Sequence, residues 1–229
     1  MPHTLLAGTT GSGKSVALNI IINSILFKAT PERVRMVLID PKQTELSAYE
    51  GLPHLICPII KESGYAVNAL QTLCAQMIER YEEMSSRGIK DVIDYPEYPR
   101  IVIIIDELAD LMMTSRDAVE SSLIRIAQLG RAAGFHLVIA TQSPRANVIT
   151  GLIRANVNGR IALKTADVRE SVIILNHKGA ETLLGRGDAF LKLPDKVEEV
   201  RYQTAYISDS EIAIVVDYWK NDSIIEAVR

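Results

Sequence analysis

Between a β-type run, His3 to Ala7, and a helical segment that opens at Ser15, the chain reads Gly8-Thr-Thr-Gly-Ser-Gly13-Lys14-Ser15. No other feature restricts the fold as much. The glycines let the backbone curl so that successive N–H groups point inward, and the following helix adds its positive dipole end. Such a strand–loop–helix is a cradle for phosphate oxygens. In it Lys14 reaches the β- and γ-phosphates of a nucleotide and the Ser15 hydroxyl ligates Mg²⁺. Thr9, Thr10, Gly11, Ser12, Gly13, Lys14, Ser15 and Val16 are the expected nucleotide-binding residues.

The loop needs a layered fold around it, and the rest of the chain supplies one. Of 229 residues, 48% are hydrophobic but only 5% aromatic. That balance favours helices packed on a sheet over an aromatic-rich β-sandwich. Strand candidates are Val34 to Asp40, Leu55 to Ile60, Ile101 to Asp106, Phe135 to Thr141, Arg160 to Leu163, Ala189 to Leu193 and Val200 to Tyr206. Apolar residues recur at three- and four-residue spacing from Ser63 to Arg87, which predicts a long helix stopped by Gly88. Further helices are expected from Asp117 to Ala133 and from Ser208, with Glu211 at the capping-box position. Residues 91 to 99 read as a surface connection. The alternation predicts an α/β fold with a mainly parallel sheet flanked by helices.

Hydrolysis of a nucleotide needs a group to hold the metal and one to activate water. Ile101-Val-Ile-Ile-Ile-Asp106-Glu107 offers both at the end of a strand covered on both faces. Asp106 fits the metal-holding acid, and Glu107 the residue that polarises the attacking water. A third strand end, Ala140-Thr141-Gln142, carries a side chain able to sense the γ-phosphate. The adjacent acid pair favours a hydrolase over a kinase or a GTP switch, and no N-K-x-D motif is present.

Together these segments resemble the FtsK/SpoIIIE DNA translocases, specifically their RecA-like motor subdomain. AGTTGSGKSV at 7 to 16, IDPKQTELSAYEGLPHL at 39 to 55 and DELADLMM at 106 to 113 carry the likeness. GRAAGFHLVIATQSP at 130 to 144, VITGLIRANV at 148 to 157 and LLGRGD at 183 to 188 continue it. The resemblance implies a RecA-like P-loop NTPase with a small β-rich C-terminal extension. It forms one motor domain, an ATPase core to about residue 165 and a C-terminal part beyond. It further implies ATP and Mg²⁺ as cofactors, a homo-hexameric ring and double-stranded DNA as partner, in chromosome segregation at cell division.

In such a ring one subunit's arginine completes the next one's site. By motif position this is Arg160, with Arg131 as second candidate. Lys164, Arg169, Lys178, Arg186 and Arg201 are the candidate DNA contacts. Two positions depart from the family pattern: Ser143 and Val172 stand where an arginine is usual. A full-length parent is expected to add an N-terminal membrane region and a C-terminal winged-helix domain. Conjugation or secretion ATPases of the same superfamily, and an ATP-gated assembly module that moves nothing, are the competing readings.

Charge and cysteine usage set further bounds. With 25 Lys and Arg against 28 Asp and Glu the net charge is −3, so DNA is not bound through bulk positive charge. The longest apolar run, Val16 to Phe27, is interrupted by Asn19, Asn23 and Ser24 and falls short of a membrane span. Cys57 and Cys74 lack zinc-ligand spacing and fit reduced thiols of a cytoplasmic protein.

Overall fold

The strand that leads into the phosphate loop, β1 (Thr4–Ala7), lies in the middle of a seven-stranded sheet, with all four residues buried. The computed structural model describes residues 2–95, 97–196 and 198–228, the last seven by backbone alone. Pro96, in the expected 91–99 connection, lies outside the described residues.

In chain order the elements are α1 (Lys14–Leu26), β2 (Val34–Ile39), α2 (Ser63–Ser86), β3 (Arg100–Ile105), α3 (Leu108–Ala133) and β4 (Phe135–Thr141). There follow α4 (Gly151–Asn156), β5 (Gly159–Leu163), α5 (Val168–Leu175), β6 (Asp188–Lys192), β7 (Val200–Gln203) and α6 (Asp209–Val228). Across the sheet the order is β2-β3-β4-β1-β5-β6-β7. The first five pair in parallel, whereas β6 and β7 add antiparallel to one edge.

Strand side chains alternate between faces, and both faces here are covered, which explains the unbroken apolar runs. Ile101, Ile103 and Ile105 of β3 pack with α2 and α3. Val102 and Ile104 pack on the opposite side with Leu18 and Ile22 of α1 and Ile212 and Val216 of α6. The polar interruptions of α1 also have a use. Asn23 is buried and donates to the Tyr49 hydroxyl at 2.8 Å, and that hydroxyl donates to Asn19 Oδ1 at 3.0 Å.

Two expectations are corrected. Leu55 to Ile60 is no strand: it touches β2 through two isolated bridges, Met36 to Leu55 and Ile39 to Ile60. Pro58 between them has no N–H to give a ladder. The helix expected from Asp117 already begins at Leu108, with a break at Ser115 (φ −149°, ψ 53°). The final helix is capped as its sequence predicts. The Ser208 N–H donates to Glu211 Oε2 at 2.8 Å, and the Glu211 N–H donates to Ser208 Oγ at 3.3 Å.

Candidate functional site

The parallel arrangement brings the ends of β1, β3 and β4 to one edge of the sheet, with β4 between the other two. The phosphate loop follows β1, Asp106 and Glu107 follow β3, and Gln142 follows β4. Residues 92 positions apart in the chain, Lys14 and Asp106, therefore meet.

Lys14 is buried. Its ammonium donates to Asp106 Oδ1 at 2.5 Å and to the Asp106 carbonyl at 2.9 Å. Burial pushes the Asp106 carboxyl above its ordinary range; Lys14 pulls it down, and Glu45 and Asp40 push it up. Two of the three N–H groups of the Lys14 ammonium are thus engaged by Asp106. Helix α1 carries no side-chain cap, so its first N–H groups are left for an anion. Gly13, just before it, has φ +101°, and a Cβ there would lie 2.5 Å from the backbone nitrogen of Gly187. Only glycine fits both demands.

Glu107 caps α3 from its N-terminus and is 2% exposed. Its Oε1 accepts the Ala109 N–H at 3.2 Å and the Thr141 hydroxyl at 2.5 Å. Oε2 accepts the Gln142 N–H at 3.0 Å and lies 3.5 Å from Lys42 Nζ. The Gln142 side chain reaches the other way and accepts the Thr10 hydroxyl at 3.0 Å. The three strand ends are thus joined by side-chain bonds: phosphate loop to Asp106, Glu107 to the end of β4, and Gln142 back to the loop.

A cleft of about 440 Å³ opens from these groups. Thr9, Thr10, Gly11, Gly13, Lys14, Ser15 and Val16 line it, as does Gln142. Ser12 does not: it is buried, with its carbonyl accepting the Gly187 N–H at 2.8 Å. The opposite wall is Arg186, Gly187, Gln203, Thr204, Ala205 and Tyr206. Of these only Arg186 has a role expected from sequence, as a DNA contact. The wall is a turn of three successive left-handed residues, Gly185, Arg186 and Gly187 (φ +87°, +52° and +94°), followed by the end of β7. The Thr204 N–H donates to the Gly187 carbonyl at 2.7 Å and binds the two pieces.

The remaining basic candidates do not form one group. Arg201 on β7 is committed to Asp188, with Nε to Oδ1 at 3.0 Å and Nη2 to Oδ2 at 2.7 Å. That pairing holds the Asp188 carboxyl below its usual range. Lys164 is exposed beside the loop, and its carbonyl accepts the Thr9 N–H at 2.9 Å. Arg169, on α5, and Lys178, after it, are exposed.

Arg160 is not brought to the cleft. It is buried on β5, with Nη1 donating to the Ile174 carbonyl at 2.6 Å and Nη2 to the Arg154 carbonyl at 2.8 Å. Burial lowers its pKa. Arg131 is exposed in the last turn of α3, at the sheet edge opposite the phosphate loop. Of the cysteines, Cys74 is buried and Cys57 half-buried, and both are free thiols. No helix among the described residues is long and apolar enough to cross a membrane.

Residues 1–98 and 93–146 match the FtsK/SpoIIIE family. The chain is 45% identical to the DNA translocase FtsK of Streptomyces coelicolor, over 96% of its own length and 26% of that protein's. It is 46% identical to the DNA translocase SpoIIIE of Bacillus subtilis, over 95% of its length and 30% of the relative's. The chain therefore spans only about a quarter to a third of these curated relatives. Among solved structures, the pCW3 conjugation coupling protein TcpA with ATPγS superposes with a TM-score of 0.81 at 30% identity. That match covers 95% of this chain and 64% of TcpA.

Proposed function

Because the chain belongs to the FtsK/SpoIIIE family, we propose that it is an ATP-hydrolysing motor that drives double-stranded DNA, as a ring of six subunits, in chromosome segregation at cell division. The observation that carries this reading is the pairing of Lys14 with Asp106 and of Gln142 with Glu107, with Lys14 and Gln142 both lining one cleft.

Triphosphate enters along Gly11 to Ser15, and Lys14 leaves Asp106 for the β- and γ-phosphoryl oxygens. Ser15 and Asp106 offer the hard oxygen donors that Mg²⁺ prefers. They would hold the ion, which when bound neutralises charge on the transferred group. Glu107 accepts a proton from the attacking water. Gln142, tied to Thr10 on one side and through its N–H to Glu107 on the other, registers the γ-phosphate at both. The cleft wall at 186–187 and 203–206 takes the nucleoside.

The test is steady-state ATPase with and without long linear double-stranded DNA. DNA is expected to raise the rate, and Lys14→Ala to abolish turnover at every DNA concentration. A rate indifferent to DNA removes the motor reading, and turnover by Lys14→Ala removes the phosphate-loop assignment. The likeness to TcpA supports a second reading, a DNA-transfer motor in conjugation. It ranks second because identity there is 30% against 45–46% for the translocases.

A further inference from the structure

The segment after β2, Asp40-Pro-Lys42, has no part in the mechanism above, yet it supplies a donor to Glu107. A carboxylate offers about four lone-pair positions. Glu107 uses all four: two on Oε1 for the Ala109 N–H and the Thr141 hydroxyl, two on Oε2 for the Gln142 N–H and Lys42. With the side chain 2% exposed, no acceptor position is left for an attacking water. One donor must withdraw before Glu107 can take a proton.

The four are not equally removable. The Ala109 N–H belongs to the first turn of α3, and the Gln142 N–H to backbone just beyond β4. The Thr141 hydroxyl is fully buried and fixed from behind, since it accepts the Ser143 N–H at 3.1 Å. Lys42 differs in each respect. Its side chain is 43% exposed, its contact at 3.5 Å is the longest of the four, and its four-carbon stem can swing. A second seat is also close. Asp110 Oδ2 lies 3.7 Å from the same ammonium, is shielded from solvent and accepts no hydrogen bond.

We infer that Lys42 is a positioning residue that withholds Glu107 from the attacking water, and that its transfer from Glu107 to Asp110 opens the position on Oε2 that hydrolysis needs. This rests on the reading of Glu107 as the water-activating group. It makes the DPK segment a timing element: whatever moves Lys42 sets when a bound ATP is cut.

The test compares Lys42→Met, Lys42→Arg and Asp110→Asn in the whole chain, by DNA-independent ATPase and by equilibrium ATP binding. Lys42→Met is expected to raise kcat by about two- to fivefold, the rate equivalent of a half-exposed ion pair. KM and the ATP Kd should stay at their wild-type values. Lys42→Arg restores the low rate. Asp110→Asn, which deletes the second seat, lowers kcat. Opposite signs from two neighbouring substitutions are not produced by loosened packing. An unchanged or lower kcat in Lys42→Met with ATP still bound overturns the inference and leaves the ATPase reading standing. Wild-type turnover by Glu107→Gln overturns the inference together with the reading of Glu107 as the water-activating group, because Glu107 then activates nothing.

Discussion

At the scale of single residues, the proposed function has the cleft divide its work between phosphate and base. In that reading Lys14 and the loop hold the charged end, while Tyr206 presents a ring that is 78% exposed on the facing wall. A nucleobase laid on such a ring gains about 1–3 kcal/mol of stacking. Tyr206→Ala is therefore expected to weaken ATP binding by roughly five- to a hundredfold and to leave inorganic tripolyphosphate binding unchanged. Competition titrations with the two ligands measure this, and equal losses for both would move the base elsewhere. Tyr206 could not be picked out from sequence. Its importance comes from a wall about 190 residues beyond the loop, and no spacing rule connects the two. The phosphate loop and the acid pair were legible because their chemistry requires fixed residue types at fixed local positions. Lys42 was visible as part of a motif, but its partner was not.

At the scale of elements, β1 is held to its neighbour by more than its ladder. His3, just ahead of it, is buried, and its Nδ1 accepts the Leu137 N–H of β4 at 3.1 Å. Burial, with help from the Arg131 charge, lowers its pKa from 6.5 to about 4. The folded chain keeps this ring neutral where the unfolded chain protonates it. Above pH 6.5 this costs the folded state nothing; as pH falls from 6.5 towards 4 the folded state loses stability, by on the order of 3 kcal/mol at pH 4. Denaturant melts of wild type and His3→Gln across pH 4 to 7 should show a steeper acid loss in the wild type. Parallel curves would relieve His3 of the role. Element by element, the buried strands and α2 follow from apolar runs and helical periodicity. The 55–60 segment misled because Pro58 acts through a missing donor, which an apolar pattern does not register. The acid pair could be read from sequence as the cap of a helix from Leu108, but the break at Ser115 separates that first stretch from the clear helical pattern at Asp117.

For the whole molecule, sheet order sorts the functions by edge. The nucleotide groups gather where β1, β3 and β4 end, and Arg131 stands at the opposite edge. In a ring, a residue that completes a neighbour's site has to be free of its own subunit. Arg131 is exposed, whereas Arg160 must first give up the carbonyls of Ile174 and Arg154. Mixing experiments separate the two: whichever arginine acts across the interface, its alanine variant lowers the ATPase of wild-type subunits by more than its share of the mixture. Strictly proportional loss for both would deny either a trans role. The net charge of −3 fits this division. DNA need meet only a few side chains per subunit if six subunits present them together. Lys164, Arg169 and Lys178 are exposed, as the proposed DNA contacts need to be, while Arg201 is spent on Asp188 and Arg186 faces the cleft.

The left-handed turn at Gly185 to Gly187 bears on how the chain can be divided. It is bonded to the phosphate loop through Ser12 and to the strand end through Thr204, so under the proposed function the C-terminal part of the chain is one jaw of the grip on nucleotide. A shortened protein that stopped after β5 would keep every residue of the loop and both acids. It would nonetheless present a raw sheet edge and a groove with a single side. The recognisable motif and the smallest piece able to hold a nucleotide are different lengths of polypeptide.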